Sequence, residues 1–209
     1  MYQSSLIKDP INITREEFIN TVFNIGMEYS HGYDTIVSSV ILGDMFVKNS
    51  NVYTLELAHI VSVLMAKCNE DSGYLSTKKA LANVGNRYII QLEWKILEMF
   101  NYSIKFKSFI NLFNELILFC SKGYKFQTLS GFFYDLSKEV CINQLLFLNP
   151  KAIIIGSVLL YKRKKLKALR MYKERIFKEI IVRICDEYDI ELDLFIKTYI
   201  NIKKNVTTT

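Results

Sequence analysis

Residues 16–33, EEFINTVFNIGMEYSHGY, and residues 107–124, KSFINLFNELILFCSKGY, read as two copies of one helix. Phe18, Ile19 and Asn20 match Phe109, Ile110 and Asn111, and the closing Ser30, Gly32 and Tyr33 match Ser121, Gly123 and Tyr124. In the first copy Phe18, Val22, Ile25 and Tyr29 recur at helical spacing, and Thr14 with Glu17 three residues on has the form of a capping box. A second pair lies at nearly the same offset: Ile60–Lys67, IVSVLMAK, over Ile155–Lys162, IGSVLLYK. Self-similarity over roughly a hundred residues predicts a tandem of two helical units, 1–104 and 105–209.

Working outward, the first unit predicts helices from Thr14 to about His31, about Asp34 to Lys48, Thr54 to Cys68, a shorter one over Thr77 to Asn83, and one with Ile89, Leu92, Ile96 and Phe100 in register. The third is apolar on nearly every side, the pattern of a helix surrounded by others. The second unit predicts helices over 106–121, 127–143, 150–163, 167–187 and 190–203. Composition agrees with an all-α chain. Among 209 residues there are only 2 Pro and 8 Gly, too few turn residues for an all-β protein of this size. Half the residues are hydrophobic, which excludes a disordered chain. The longest apolar run, Ala152–Tyr161, is far short of the ~18 residues of a membrane span. Lys8, Asp9 and Pro10 stand where a secretory signal would need an apolar run, so an intracellular protein, in nucleus or cytoplasm, is expected.

Several chemistries have no support. Cys68, Cys120, Cys141 and Cys185 are scattered singly without a Cys-x-x-Cys, and the only histidines are His31 and His59, so neither a metal nor a disulfide framework is expected. The cysteines read as small buried hydrophobes. There is no phosphate-binding glycine loop, nucleophile elbow or His-Glu-x-x-His. The chain is expected to be no enzyme and to carry no cofactor.

The local motifs resemble the cyclin family. Ile25-Gly26-Met27-Glu28-Tyr29 is similar to that family's Val-Gly-Glu-Glu-Tyr, and Val40–Val47, VILGDMFV, is similar to its second-helix motif with Asp44 and Phe46 kept and Met45 in place of Arg. Leu64–Glu70, LMAKCNE, resembles the Lys-Phe-Glu-Glu motif, keeping Lys67 and Glu70 and carrying Cys68 and Asn69 between them. Leu92–Leu97, LEWKIL, followed by Phe100-Asn101-Tyr102-Ser103-Ile104, resembles the fifth helix and its aromatic exit. Over 66–93 the likeness is greatest to the phosphate-signalling cyclins of fungi and the P-type and U-type cyclins of plants. The resemblance implies tandem five-helix cyclin boxes and a regulatory subunit that binds and activates a cyclin-dependent protein kinase. It implies kinase contacts at Lys67, Cys68, Glu70, Glu93, Leu97, Tyr102 and Ile104, with Lys67 and Glu93 as a pair. In many cyclins the first helix also lines a substrate-docking groove. Here only Arg15 and Phe18 stand as a remnant of that pattern, beside Thr14 and Thr21, so groove docking is expected to be weak or absent.

The charge is local. Lys162, Arg163, Lys164, Lys165, Lys167, Arg170, Lys173 and Arg175, against Glu174 alone, put +7 into fourteen residues, so the rest of the chain, whose net charge is +6, carries −1. Such a run reads as a solvated connection between two helices, an import signal, a nucleic-acid contact or a contact for an acidic partner surface. It motivates a second reading, a transcription or nucleic-acid-binding module resembling the cyclin-like repeats of the general transcription factor IIB. A third is an orphan cyclin that binds a kinase without activating it.

Overall fold

The structure is a computed structural model that describes residues 9–48, 52–84 and 87–104 and, beyond them, 137–138, 140–142, 151, 153, 156, 174–187 and 189–207. The chain is mostly helical and divides into two compact units, Met1–Lys107 and Ser108–Thr209. The second copy of the repeated helix and the basic run 162–173 lie outside the described residues.

The first unit contains α1 (Arg15–Glu28), α2 (Tyr33–Val47), α3 (Leu55–Cys68), α4 (Tyr74–Val84) and α5 (Arg87–Met99). α1 begins at a complete capping box. The Glu17 amide donates to the Thr14 hydroxyl, and the Glu17 carboxylate accepts from the Thr14 amide at 2.7 Å. α4 begins three residues earlier than its apolar spacing suggests, directly after the Asp71–Gly73 turn. The helical reading missed one short piece of sheet: Asn12–Ile13 (β1) pairs antiparallel with Tyr53–Thr54 (β2), fastening the entry of α1 beside the entry of α3.

α3 is the centre of the unit and packs against each of the other four helices. Its residues from Glu56 to Ala66 are buried apart from His59. α2 is enclosed to the same degree, every residue from Thr35 to Asp44 being buried. Close approach of α1 and α2 depends on two glycines. A β-carbon at Gly26 would collide with Ile36, and one at Gly43 with the Phe18 ring. Two motif residues quoted for their resemblance, Gly26 and the glycine preceding Asp44, are therefore explained by packing.

Helix ends repeat one device. After α1, α3 and α5 an amide bonds back five residues (His31 to Gly26, Asp71 to Ala66, Tyr102 to Leu97) with a left-handed residue just before it (Ser30 φ 57°, Glu70 φ 52°, Asn101 φ 48°). These are Schellman closures without the usual glycine, each placing an L residue where its β-carbon is crowded.

In the second unit, α6 (Glu174–Glu187) and α7 (Leu192–Thr207) pack together, and α6 ends in the same closure, Ile190 to Cys185 with Asp189 left-handed. Ile184 and Cys185 on α6 and Phe195, Tyr199 and Ile202 on α7 are buried. Residues 137–138, 140–142, 151, 153 and 156 are helical, within the spans expected for 127–143 and 150–163, while the expected helix 106–121 lies outside the described residues. No helix of the described residues is long and apolar enough to cross a membrane.

Candidate functional site

The residues singled out from the sequence fall into three groups. Arg15 and Phe18 are structural. The Arg15 guanidinium grips Asp44 with two bonds, Nε to Oδ1 at 2.9 Å and Nη2 to Oδ2 at 2.7 Å, and the Tyr53 hydroxyl donates to the same Oδ1 at 2.9 Å. The Asp44 side chain is 0% exposed and that of Arg15 23% exposed. Phe18 lies in the core between Gly43 and the Tyr53 ring, 5.0 Å away. Burial, with the Asp44 carboxylate beside it, pushes the Tyr53 hydroxyl well above the usual phenol range. Neither Arg15 nor Phe18 forms the rim of an open groove, because their functional groups are spent on joining α1 to α2 and β2.

Lys67, Cys68 and Glu70 gather at the corner where α3 ends, all three exposed. Exposure of Cys68 corrects the expectation that the cysteines are buried, which holds for Cys141 and Cys185; Cys120 lies outside the described residues. Partial burial raises the Cys68 thiol above its ordinary range, against the opposing pull of the Lys67 ammonium. The corner is held by Asp71. Its Oδ2 accepts from the Gly32 amide at 2.8 Å and the Thr35 hydroxyl at 2.9 Å, and its Oδ1 from the Gly73 amide at 2.9 Å. Burial disfavours the Asp71 carboxylate, yet the Gly73 and Gly32 amides, the Thr35 hydroxyl and nearby His31 outweigh it and hold its pKa below the ordinary value.

His31 adds a second tie, Nε2 to the Thr77 hydroxyl at 2.7 Å. Thr77 gives its own proton to the Gly73 carbonyl, which assigns Nε2 as the protonated ring nitrogen. Gly73 has no room for a β-carbon, which would meet the Tyr29 carbonyl and the His31 ring. The turn carrying Glu70 is thus anchored to the α1–α2 connection, a link that no local motif announced because His31 and Thr77 are 46 residues apart.

Glu93, Leu97, Tyr102 and Ile104 belong to α5 and its exit. Glu93 and Leu97 are half-buried and Tyr102 is open. Ile104, expected on the contact surface, is only 7% exposed and so is corrected to a buried residue. No ion pair joins Lys67 to Glu93, although α3 and α5 pack together; Arg15–Asp44 is an ion pair of this unit. The pairing expected from resemblance is therefore absent in the isolated chain, and both groups keep their hydrogen-bonding capacity for another molecule.

One residue of this face was missed. Trp94 lies out of register with the buried Ile89, Leu92 and Ile96, is 57% exposed, and meets Tyr102 edge-on with ring centres 6.2 Å apart. Its position on the polar side of α5 was the available signal. Ile90, one turn before it, is also exposed.

A cleft of about 170 Å³ opens between the end of α2, β2 and α5, lined by Phe46, Thr54, Leu57, Tyr88, Leu92 and Lys95 among others. It is below the ~300 Å³ at which small-molecule pockets begin. Among the described residues no three His, Cys, Asp or Glu side chains converge as metal ligands would. No family model, curated protein or solved structure matches the chain.

Proposed function

We propose that the chain is a cyclin-like regulatory subunit that binds and activates a cyclin-dependent protein kinase through the end of α3 and the outer face of α5. The observation that carries this reading is the state of Lys67 and Glu93. Both belong to the motifs that resemble cyclins and come from two helices packed together, Lys67 exposed and Glu93 half-buried, although among the described residues they do not form the pair the resemblance implies. A polar pair of this kind adds specificity when it bonds a partner's backbone, since desolvation offsets much of its Coulomb energy. The tied corner at Asp71 and His31 supports the same reading, because a preformed surface loses less entropy on binding. By the mechanism the resemblance implies, the subunit holds the kinase's mobile helix inward and so favours the active conformation. The effect on activity then equals the differential affinity for the two kinase states.

Reconstitution with the cyclin-dependent kinases of the same cell tests this. Lys67→Ala with Glu93→Ala is expected to weaken binding at least tenfold, about 1.4 kcal/mol, and to lower phosphotransfer in parallel. Unchanged binding and phosphotransfer would refute the assignment, and binding without stimulated phosphotransfer would identify the orphan form. The +7 run favours the alternative, a nucleic-acid module like transcription factor IIB. A DNA affinity that falls steeply with salt and requires Lys162–Arg175 would establish it in place of the kinase.

A further inference from the structure

α7 carries more apolar surface than its own unit covers. At ~100° per residue, Ile202, Phe195, Tyr199, Leu192, Ile196 and Ile200 follow one another around an arc of about 160°. The first three are buried. A β-carbon at Gly156 would stand 3.0 Å from Ile202 and 3.8 Å from Tyr199, so this side of α7 faces the helical segment carrying Gly156. Leu192, Ile196 and Ile200 are 41%, 43% and 43% exposed. Leu192 and Ile200 stand ~40° to either side of Ile196, so the three form one stripe, unlike the apolar residues scattered singly on most surfaces.

The two ends of this helix carry opposite charge. From Asp186 to Asp193 there are five acids and no base, and from Lys197 to Lys204 three lysines and no acid. All of them are exposed, and Arg183, one turn back on α6, is the nearest base before the acids. Acids leading into a helix and lysines toward its end complement its dipole. The same polarity makes the stripe complementary to itself turned end for end. About a two-fold axis at the level of Thr198, Ile196 stands opposite Ile200 of a second copy and Asp193 opposite its Lys203, while Leu192 meets the hydrocarbon stem of its Lys204.

We infer that two copies of the chain associate through α7, antiparallel, with Leu192, Ile196 and Ile200 at the centre and the acidic end of each helix on the basic end of the other. Such an interface uses the same patch on both copies and closes at two. It lies in the second unit and does not depend on the kinase reading of the first. One pair of helices buries less than the ~1,600 Å² of a standard interface, so the association is weak, with a dissociation constant of about 10–100 μM.

Sedimentation equilibrium on the full chain, loaded from about 5 to 500 μM, is expected to show monomer and dimer exchanging within that range. Ile196→Lys is expected to weaken the dimer at least tenfold. Leu194→Gln, at an exposed apolar position ~160° from Ile196, is expected to leave it unchanged. Asp193→Lys and Lys203→Asp each set like charges opposite one another and are expected to weaken self-association at least fivefold. Mixed together, these two variants regain both opposite-sign contacts, so the mixture is expected to dimerise at least fivefold more tightly than either alone. A purely structural role for these residues would not produce that recovery. Circular dichroism on each variant checks folding, and Ile200→Gln, at an exposed position, carries the same expectation as Ile196→Lys should the latter unfold. A chain that stays monomeric throughout, open-ended larger assemblies, a dimer indifferent to the stripe variants, or a mixture no tighter than its parts would each overturn the inference.

Discussion

Replacing Arg15 with alanine separates a structural role from a docking one. Removal takes away two of the three described bonds to the Asp44 carboxylate, which is 0% exposed, and leaves that from the Tyr53 hydroxyl. Two charge-assisted bonds are lost, at ~1.5–3 kcal/mol each. The guanidinium is 23% exposed, so water already weakens its share of the attraction. The expected loss is therefore about 3–4 kcal/mol, within the ~3–5 kcal/mol found when one partner of a buried pair is removed. For a unit of about a hundred residues this lowers the thermal midpoint by roughly 12–30 °C. The loss is also asymmetric. Asp44→Ala leaves a guanidinium with a path to water, whereas Arg15→Ala strands a charge. The double variant is accordingly expected to be more stable than Arg15→Ala alone. Urea unfolding followed by circular dichroism, run as a double-mutant cycle, measures both quantities. A cost under about 1 kcal/mol for Arg15→Ala, with no coupling to Asp44, would refute the argument and return Arg15 to the pool of docking residues.

Three further outcomes follow from the corner and the helix ends. Ser30→Gly relieves a left-handed L residue and is expected to stabilise the unit by about 0.5–1 kcal/mol in the same unfolding assay. Gly73→Ala places a methyl group against the Tyr29 carbonyl and the His31 ring, backbone and packed ring that cannot swing away; a loss above about 2 kcal/mol is expected, with faster amide exchange over residues 69–77. Acid is expected to weaken the corner in two stages. Burial outweighs Asp71 and the Gly73 backbone and lowers the His31 pKa, so the folded state prefers neutral imidazole; the stability is whole above the unfolded value of about 6.5 and falls as pH drops below it. Asp71, also lowered in the folded state, contributes stability above about pH 4 that is lost on further acidification. His59 is lowered chiefly by burial as well, so His31→Gln and His59→Gln are compared; an unaltered pH profile in His31→Gln would remove His31 from the account.

Much of this was legible in the chain order. Apolar spacing located α1, α2, α3 and α5 because each buries a continuous face, and the Thr14–Glu17 box located the start of α1 because its bonds lie within one turn. The α4 start was misplaced because it follows a turn stabilised by Asp71, His31 and Thr77 across the chain and not by its own spacing. The β1–β2 pair was invisible because two residues carry no alternation to detect.

The sequence by itself determined a helical protein, since periodicity and scarcity of proline and glycine act residue by residue, and it marked candidate contact residues only by resemblance. Tertiary structure alone decided their physical roles. It closed Arg15 onto Asp44, sank Phe18 and Ile104 into the core, left Lys67 and Glu93 unpaired with each other, and turned Trp94 and Tyr102 outward. The reason is distance along the chain. Whether a charge is buried against a partner or offered to solvent depends on residues tens of positions away, and one-dimensional spacing carries no record of which helices meet.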